Sequence, residues 1–195
     1  MKKTLFVFMF YLLGNFIYGQ NTFIYTTYKM YKPNKVYNIF VNYDDKKNLK
    51  NVLISVESND PLYNKSKFII KKDELNKFTA YLAYISSKKT EWDYVNLKNK
   101  TSKVNKEIIW DEGDVTVNCI YEGGPIKSDV SLQTNYIYEK SKSGVHIATP
   151  NSSEVNSSII YFESNKLFAE FINKLDLEKI QAAIDNDFNK TNLLK

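Results

Sequence analysis

Apolar residues fall on every second position through much of this chain, and that period limits what it can fold into. In "VYNIFVNY", Tyr37, Ile39, Val41 and Tyr43 share one face while Asn38 and Asn42 take the other. Side chains of an extended strand alternate between faces, so this is the pattern of a strand half-buried in a sheet. The polar turn "DDKKN" follows, and Val52, Ile54 and Val56 resume the alternation, which predicts a hairpin. "TFIYTTYKMY" reads as an earlier strand, ended by Pro33 with Asn34, and "KFII" as a short strand leading into a helix. "KEIIWDEGDVTVNCIYEGG" reads as two strands joined at Asp111 to Asp114, where Gly113 supplies the backbone freedom of a tight turn. "LQTNYIYEK" and "SGVHIAT" pair across "SKSG", and "SSIIYFE" is a last strand.

Two regions change period. Leu75, Phe78, Leu82 and Ile85 recur at spacings of three and four, which predicts a helix capped by Asp73 and ending near Lys88 or Lys89. Ser164 caps a second helical region whose stripe is Leu167, Phe168, Phe171, Ile172 and Leu175, and Asp176 begins a further piece with Leu177, Ile180, Ala183 and Ile184. Short polar turns between neighbouring strands imply antiparallel pairing, since a parallel pair needs a long crossover. The expected class is α+β: a mostly antiparallel sheet of about six to eight strands, with two amphipathic helical regions packed on one face.

The N-terminus has the three-part layout of a secretory signal peptide. Lys2 and Lys3 precede the apolar run Leu5 to Leu13, which Gly14 and Asn15 break. A spanning helix needs about 20 apolar residues, so this run is too short for an anchor. The small residue Gly19 is the expected cleavage point, with Gln20 as the mature N-terminus. A lipoprotein would need a cysteine after the cut, and the chain's single cysteine is Cys119. The expectation is residues 1–19 as a leader and 20–195 as one globular domain, exported to the periplasm or beyond, neither lipid-anchored nor inserted in the membrane after processing.

Removing the leader leaves 25 lysines against 22 acids, a net charge of +3. Every basic residue other than the lone histidine is lysine, so the planar fork that grips phosphate is missing, and nucleic acid is not an expected partner. One cysteine cannot form an internal disulfide, so the fold rests on its hydrophobic core.

Residue types that carry chemistry are few. His146 is the only histidine, which excludes any two-histidine metal site, and its neighbours Val145 and Ile147 point to the opposite face, placing it on the more polar side of its strand. Cys119 shares a face with Val115, Val117 and Tyr121, the setting of a buried small hydrophobe rather than of a nucleophile. Asp111, Glu112 and Asp114 lack the ligand spacing of a calcium loop and read as a solvated turn. Gly123 and Gly124 before Pro125 read as a turn too, because the hydroxyl and lysine of a phosphate cradle do not follow. No catalytic residue, metal ligand or cofactor is assigned. Tyr136, Tyr138 and Tyr161, with Trp92 and Trp110, are aromatics on or near strands, which more often pack in cores than stack on ligands. Tyr136, Tyr138 and His146 are the candidate binding side chains.

The "GQ" junction behind a short leader, the helix "KKDELNKFTAYLAYISSKKTEW", the strand "IIWDEGDVTVNCIY" and the close "IIYFESNKLFAEFINKL" resemble small exported proteins of Bacteroidota that have no assigned activity. The resemblance is one of layout over residues 66–180. It implies export and carries over no catalytic or binding residue.

These readings lead to an expected function: a non-catalytic exported domain that binds a protein partner or a cell-envelope glycan. The alternatives are an envelope hydrolase with a carboxylate- or His146-based site, and an inhibitor or immunity-type protein. Intact-mass analysis of the exported protein should show loss of residues 1–19; recovery of the full-length chain from the cytosol would overturn the export reading.

Overall fold

The computed structural model describes residues 21–30, 35–153 and 155–193. The expected leader, with Gly19 and Gln20, and the expected strand stop at Pro33 and Asn34 lie outside the described residues. The chain runs β1 (Thr22–Tyr28), β2 (Tyr37–Tyr43), β3 (Leu49–Ser58), β4 (Lys65–Lys71), α1 (Lys72–Lys98), β5 (Lys103–Glu107), β6 (Thr116–Tyr121), β7 (Ile126–Ser131), β8 (Gln133–Glu139), β9 (Lys142–Ala148), β10 (Ser158–Phe162), α2 (Asn165–Lys174) and α3 (Leu177–Leu193). The ten strands form one sheet, and each paired ladder in it is antiparallel. The helices cover one face, as an α+β arrangement requires. The mostly antiparallel α+β class holds, and "IKSDVS" adds a strand that has no regular alternation in sequence.

Backbone pairing explains how the sheet curls. Its order is β5-β8-β9-β10-β3-β4-β6-β7, with β2 against β3 and β1 against β2. Strand β3 is long enough to be shared on one edge: Leu49 to Ile54 pair with β2, while Glu57 and Ser58 pair with β10. Past that fork the Tyr161 amide donates to Met30 Sδ, a side chain only 1% exposed. At the other side, Leu132 alone separates β7 from β8. Ile108 N donates to Thr134 O (2.8 Å) and Leu132 N to Val115 O (2.9 Å), so β5–β6 and β7–β8 form one long ribbon. One half of this ribbon pairs with β4 through β6, and the other with β9 through β8. Both ends of the sheet order therefore meet in the ribbon, and the sheet wraps toward a half-barrel.

Helix α1 packs against strands of both halves, β3 and β4 on one side and β8 and β9 on the other. Its stripe of Leu75, Phe78, Tyr81, Leu82 and Ile85 is no more than 3% exposed. Burying one such side chain stabilises the fold by about 1.5–3 kcal/mol, so this helix organises the core. Helices α2 and α3 complete it: Phe168 stacks on Phe162 of β10 at 4.7 Å, and the Tyr43 hydroxyl donates to Asp187 of α3 at 2.9 Å.

Four expectations change. The cap position of α1 is Lys71 rather than Asp73, and it makes no side-chain cap bond; β4 stays paired through Lys71, so the strand passes straight into the helix. Asp73 and Glu74 lie in the first turn instead, where the positive end of the helix dipole favours them. The helix continues to Lys98 rather than stopping near Lys89, because Lys89 and Asn96 extend its buried stripe with polar side chains that hide the period. β5 and β6 are not joined by a tight turn at Asp111 to Asp114. Residues 108–115 bulge from the ribbon so that Ile108 is buried and Trp110 meets Tyr81 and Tyr84 of α1 edge-on, at 5.9 and 5.0 Å; Gly113 does adopt a positive φ of 85°. Finally, the β8–β9 turn falls at Lys140 and Ser141, with φ of 53° and 65°, the pair of left-handed residues that matches strand twist in a two-residue hairpin.

Gly144, freed from the turn, has another task. A Cβ there would lie 2.6 Å from Cζ of Tyr161, whose ring crosses over it from β10. Gly144→Ala should cost about 1–3 kcal/mol by overpacking. The penalty should shrink in a Tyr161→Ala background when both are followed by urea unfolding; an equal cost in both backgrounds would contradict the contact.

Candidate functional site

Three places gather polar or aromatic side chains. The first lies inside, where the second half of α1 crosses β8 and β9. Lys89 is 1% exposed, and its ammonium donates to Asp93 Oδ2 at 2.8 Å and to Ser143 Oγ at 2.7 Å. Tyr136 donates its hydroxyl proton to Asp93 Oδ1 at 2.9 Å and accepts from Asn96 Nδ2 at 3.2 Å, and Asn165 at the start of α2 donates to Asp93 Oδ2 at 3.3 Å. Burial pushes the Asp93 carboxyl up, but the Lys89 and Ser143 hydrogen bonds, the Lys89 charge and the Tyr136 hydrogen bond outweigh it and hold the group below the usual aspartate value. Burial is also the main reason the Tyr136 phenol is pushed far up, with the Asp93 charge adding to it. Lys89 beside a serine has the look of a base and nucleophile, yet an ammonium bonded to a carboxylate has no lone pair with which to take the Ser143 proton. This cluster ties α1 to β8, β9 and α2.

Of the candidate binding side chains, Tyr136 and Tyr138 stand in the core, 0% and 5% exposed. His146 reaches the face of the sheet turned away from the helices, where its ring meets Tyr161 edge-on at 4.2 Å. Partial burial holds its imidazole below the ordinary histidine value. Cys119 points the other way, into the core, 3.3 Å from Ser158 Oγ, and burial pushes its thiol up. The sheet separates Cys119 from His146, so they form no dyad. The Asp111, Glu112 and Asp114 turn is solvated, with the Asp114 carbonyl accepting from Lys77 at 2.7 Å. Among the described residues, no group of three His, Cys, Asp or Glu side chains is placed to hold a metal ion.

The third place is a groove of about 390 Å³ on the same helix-free face, across β2, β3, β4 and β6. Alternation builds it. Ile39, Val41, Val52, Ile54, Phe68, Ile70, Cys119 and Tyr121 all point into the core, so the residues between them point outward. Cross-strand register sets these in two rows: Ser55, Lys67 and Ile120 in one, Phe40, Leu53, Ile69 and Asn118 in the next. Leu53 is 0% exposed, although it faces away from the helices. Val36 and Asn64 stand on the walls.

Charges on this face are matched. Lys35 lies 2.6 Å from Glu57, which also accepts from the Tyr37 hydroxyl, and Lys65 lies 3.3 Å from Glu122. Lys71 is 3.7 Å from Asp129, and the Lys67 ammonium sits 4.8 Å above the Phe40 ring. The amides of Asn38 and Asn64 and the hydroxyl of Ser55 have no hydrogen-bond partner among the described residues. None of these groove residues is marked by sequence, because the outward side of a strand looks the same whether it meets solvent or a ligand; the outward Phe40 between two asparagines is the only visible signal.

The chain matches no family model, no curated protein and no solved structure.

The paired interior has measurable consequences. Lys89→Met should cost about 2–4 kcal/mol, since it leaves Asp93 with an uncompensated charge, and Asp93→Asn in that background should recover part of the loss. Because folding lowers the Asp93 pKa, its contribution is present above the unfolded value of about 3.9 and fades as pH falls below it. Urea unfolding across the acid range should therefore show a weaker acid loss in Asp93→Asn; an unchanged slope would contradict the assignment.

Proposed function

We propose that this chain is an exported, non-catalytic binding domain of the cell envelope, and that the groove floored by Phe40, Ser55, Lys67 and Ile120 receives its protein or glycan partner. The carrying observation is the contrast between two polar regions. In the interior, Lys89, Asp93, Ser143 and Tyr136 bond to one another, whereas the groove offers unengaged amides and a hydroxyl beside apolar side chains. Small-ligand sites combine an apolar lining with a few such polar groups in roughly 300–1,000 Å³, and the groove falls in that range. A hydrolase has less to support it. The ring neighbour of His146 is Tyr161, and Glu57 and Asp93 are each held by a lysine and a tyrosine.

The exported chain, immobilised and exposed to envelope extract, should retain a component that Phe40→Ala releases about tenfold more readily while His146→Ala leaves retention unchanged. Retention indifferent to Phe40→Ala, or turnover of an envelope polymer that His146→Ala abolishes, would overturn the reading.

A further inference from the structure

Resting on the proposal that the groove is the ligand site, we infer that its occupant is a neutral oligosaccharide segment. Charge is the first argument. Lys35 and Lys65 on the walls already have carboxylate partners in Glu57 and Glu122, at 2.6 and 3.3 Å. On the walls a strongly anionic or cationic ligand would have to displace one member of such a pair, and on the floor the Lys67 ammonium is already engaged over the Phe40 ring, whereas an uncharged ligand leaves all three arrangements intact.

Topology excludes the commonest way of holding a peptide. An extended peptide joins a sheet at an exposed edge, through backbone hydrogen bonds. Here β2 lies between β1 and β3, β3 between β2 and β4, β4 between β3 and β6, and β6 between β4 and β7. The one gap is the fork where the β2–β3 ladder ends at Ile39 and Ile54 and β10 joins β3 from Glu57; it leaves only Tyr37 and Asn38 facing Ser55 and Val56, too short a stretch to take a peptide as an added strand. Size argues against a folded partner as well: a stable protein interface buries about 800 Å² on each side, and a recess of about 390 Å³ takes a much smaller body.

The lining then selects among small neutral ligands. Val36, Phe40 and Ile120 supply apolar surface, while Asn38, Ser55 and Asn64 each supply a donor and an acceptor. A pyranose has the matching division. Its C–H face packs on aromatic and aliphatic side chains, and its hydroxyls need both donors and acceptors in the plane around that face. An apolar helix or lipid chain would leave the two amides and the hydroxyl desolvated and unbonded.

The test is titration calorimetry of the exported chain with uncharged tetramers of β-linked N-acetylglucosamine, β-linked glucose and mannose, at 50 and 500 mM salt. At least one should bind with an affinity that changes less than twofold between the two salts. Phe40→Ala and Asn38→Ala should each weaken that binding about tenfold, while thermal unfolding confirms that both variants fold. If none of the three binds, or if binding falls steeply with salt, the inference fails. Should envelope retention still depend on Phe40 in that case, the groove remains the site and only its ligand class is wrong. If retention is indifferent to Phe40, the site itself is wrong.

Discussion

The apolar stripe of α1 has to be buried from both sides of its axis, and the sheet does this by curling until strands from both halves of its order touch the same helix. Leu75 and Phe78 through Ile85 supply the stripe, and the bent ribbon of β5–β6 against β7–β8 supplies the curl. Residues 108–115 are the accommodation. They bulge where the ribbon bends, and Trp110 fills the space against Tyr81 and Tyr84. Hydrophobic burial of this kind is non-directional. It fixes the helix against the sheet without fixing its rotation, which the directional bonds of Lys89, Asp93, Ser143 and Tyr136 are placed to set.

Both devices belong to the helix-bearing face, and so the chain's most unusual polar residues are occupied within the fold. A buried lysine beside a serine is a chemical curiosity in isolation. In place, it is a bridge from α1 to β9. The helix-free face has no comparable use in the fold among the described residues, and there the amides and the hydroxyl keep their bonding capacity. That division of labour across one sheet underlies the functional reading.

Alternation made much of the sheet legible. Tyr37 to Tyr43 and Val52 to Val56 carry the period cleanly, and their hairpin appears where that period ends. Ser164 caps its helix as its side chain implies. What escaped was non-local or disguised. Lys89 and Asn96 break an otherwise apolar stripe, so the apolar period ends in sequence before the helix does. The separation of β5 from β6 depends on the burial of Ile108 and on Trp110 meeting Tyr81 and Tyr84, 29 and 26 residues back in sequence. Tyr136 and Tyr138 were fair candidates as aromatics on a strand, but the face they occupy is set by pairing with β9, and it is the inner one. Phe40, which does line the groove, sits between two ordinary core positions, and its outward place between Asn38 and Asn42 is the one mark it carries.

Amide chemical-shift mapping of the isotope-labelled chain against envelope extract tests the central claim most directly. Perturbations concentrated at Asn38, Phe40, Ser55, Lys67 and Ile120 are the predicted result. Perturbations centred on His146 and Tyr161, or on the outer surfaces of α1 and α2 with the groove silent, would contradict it.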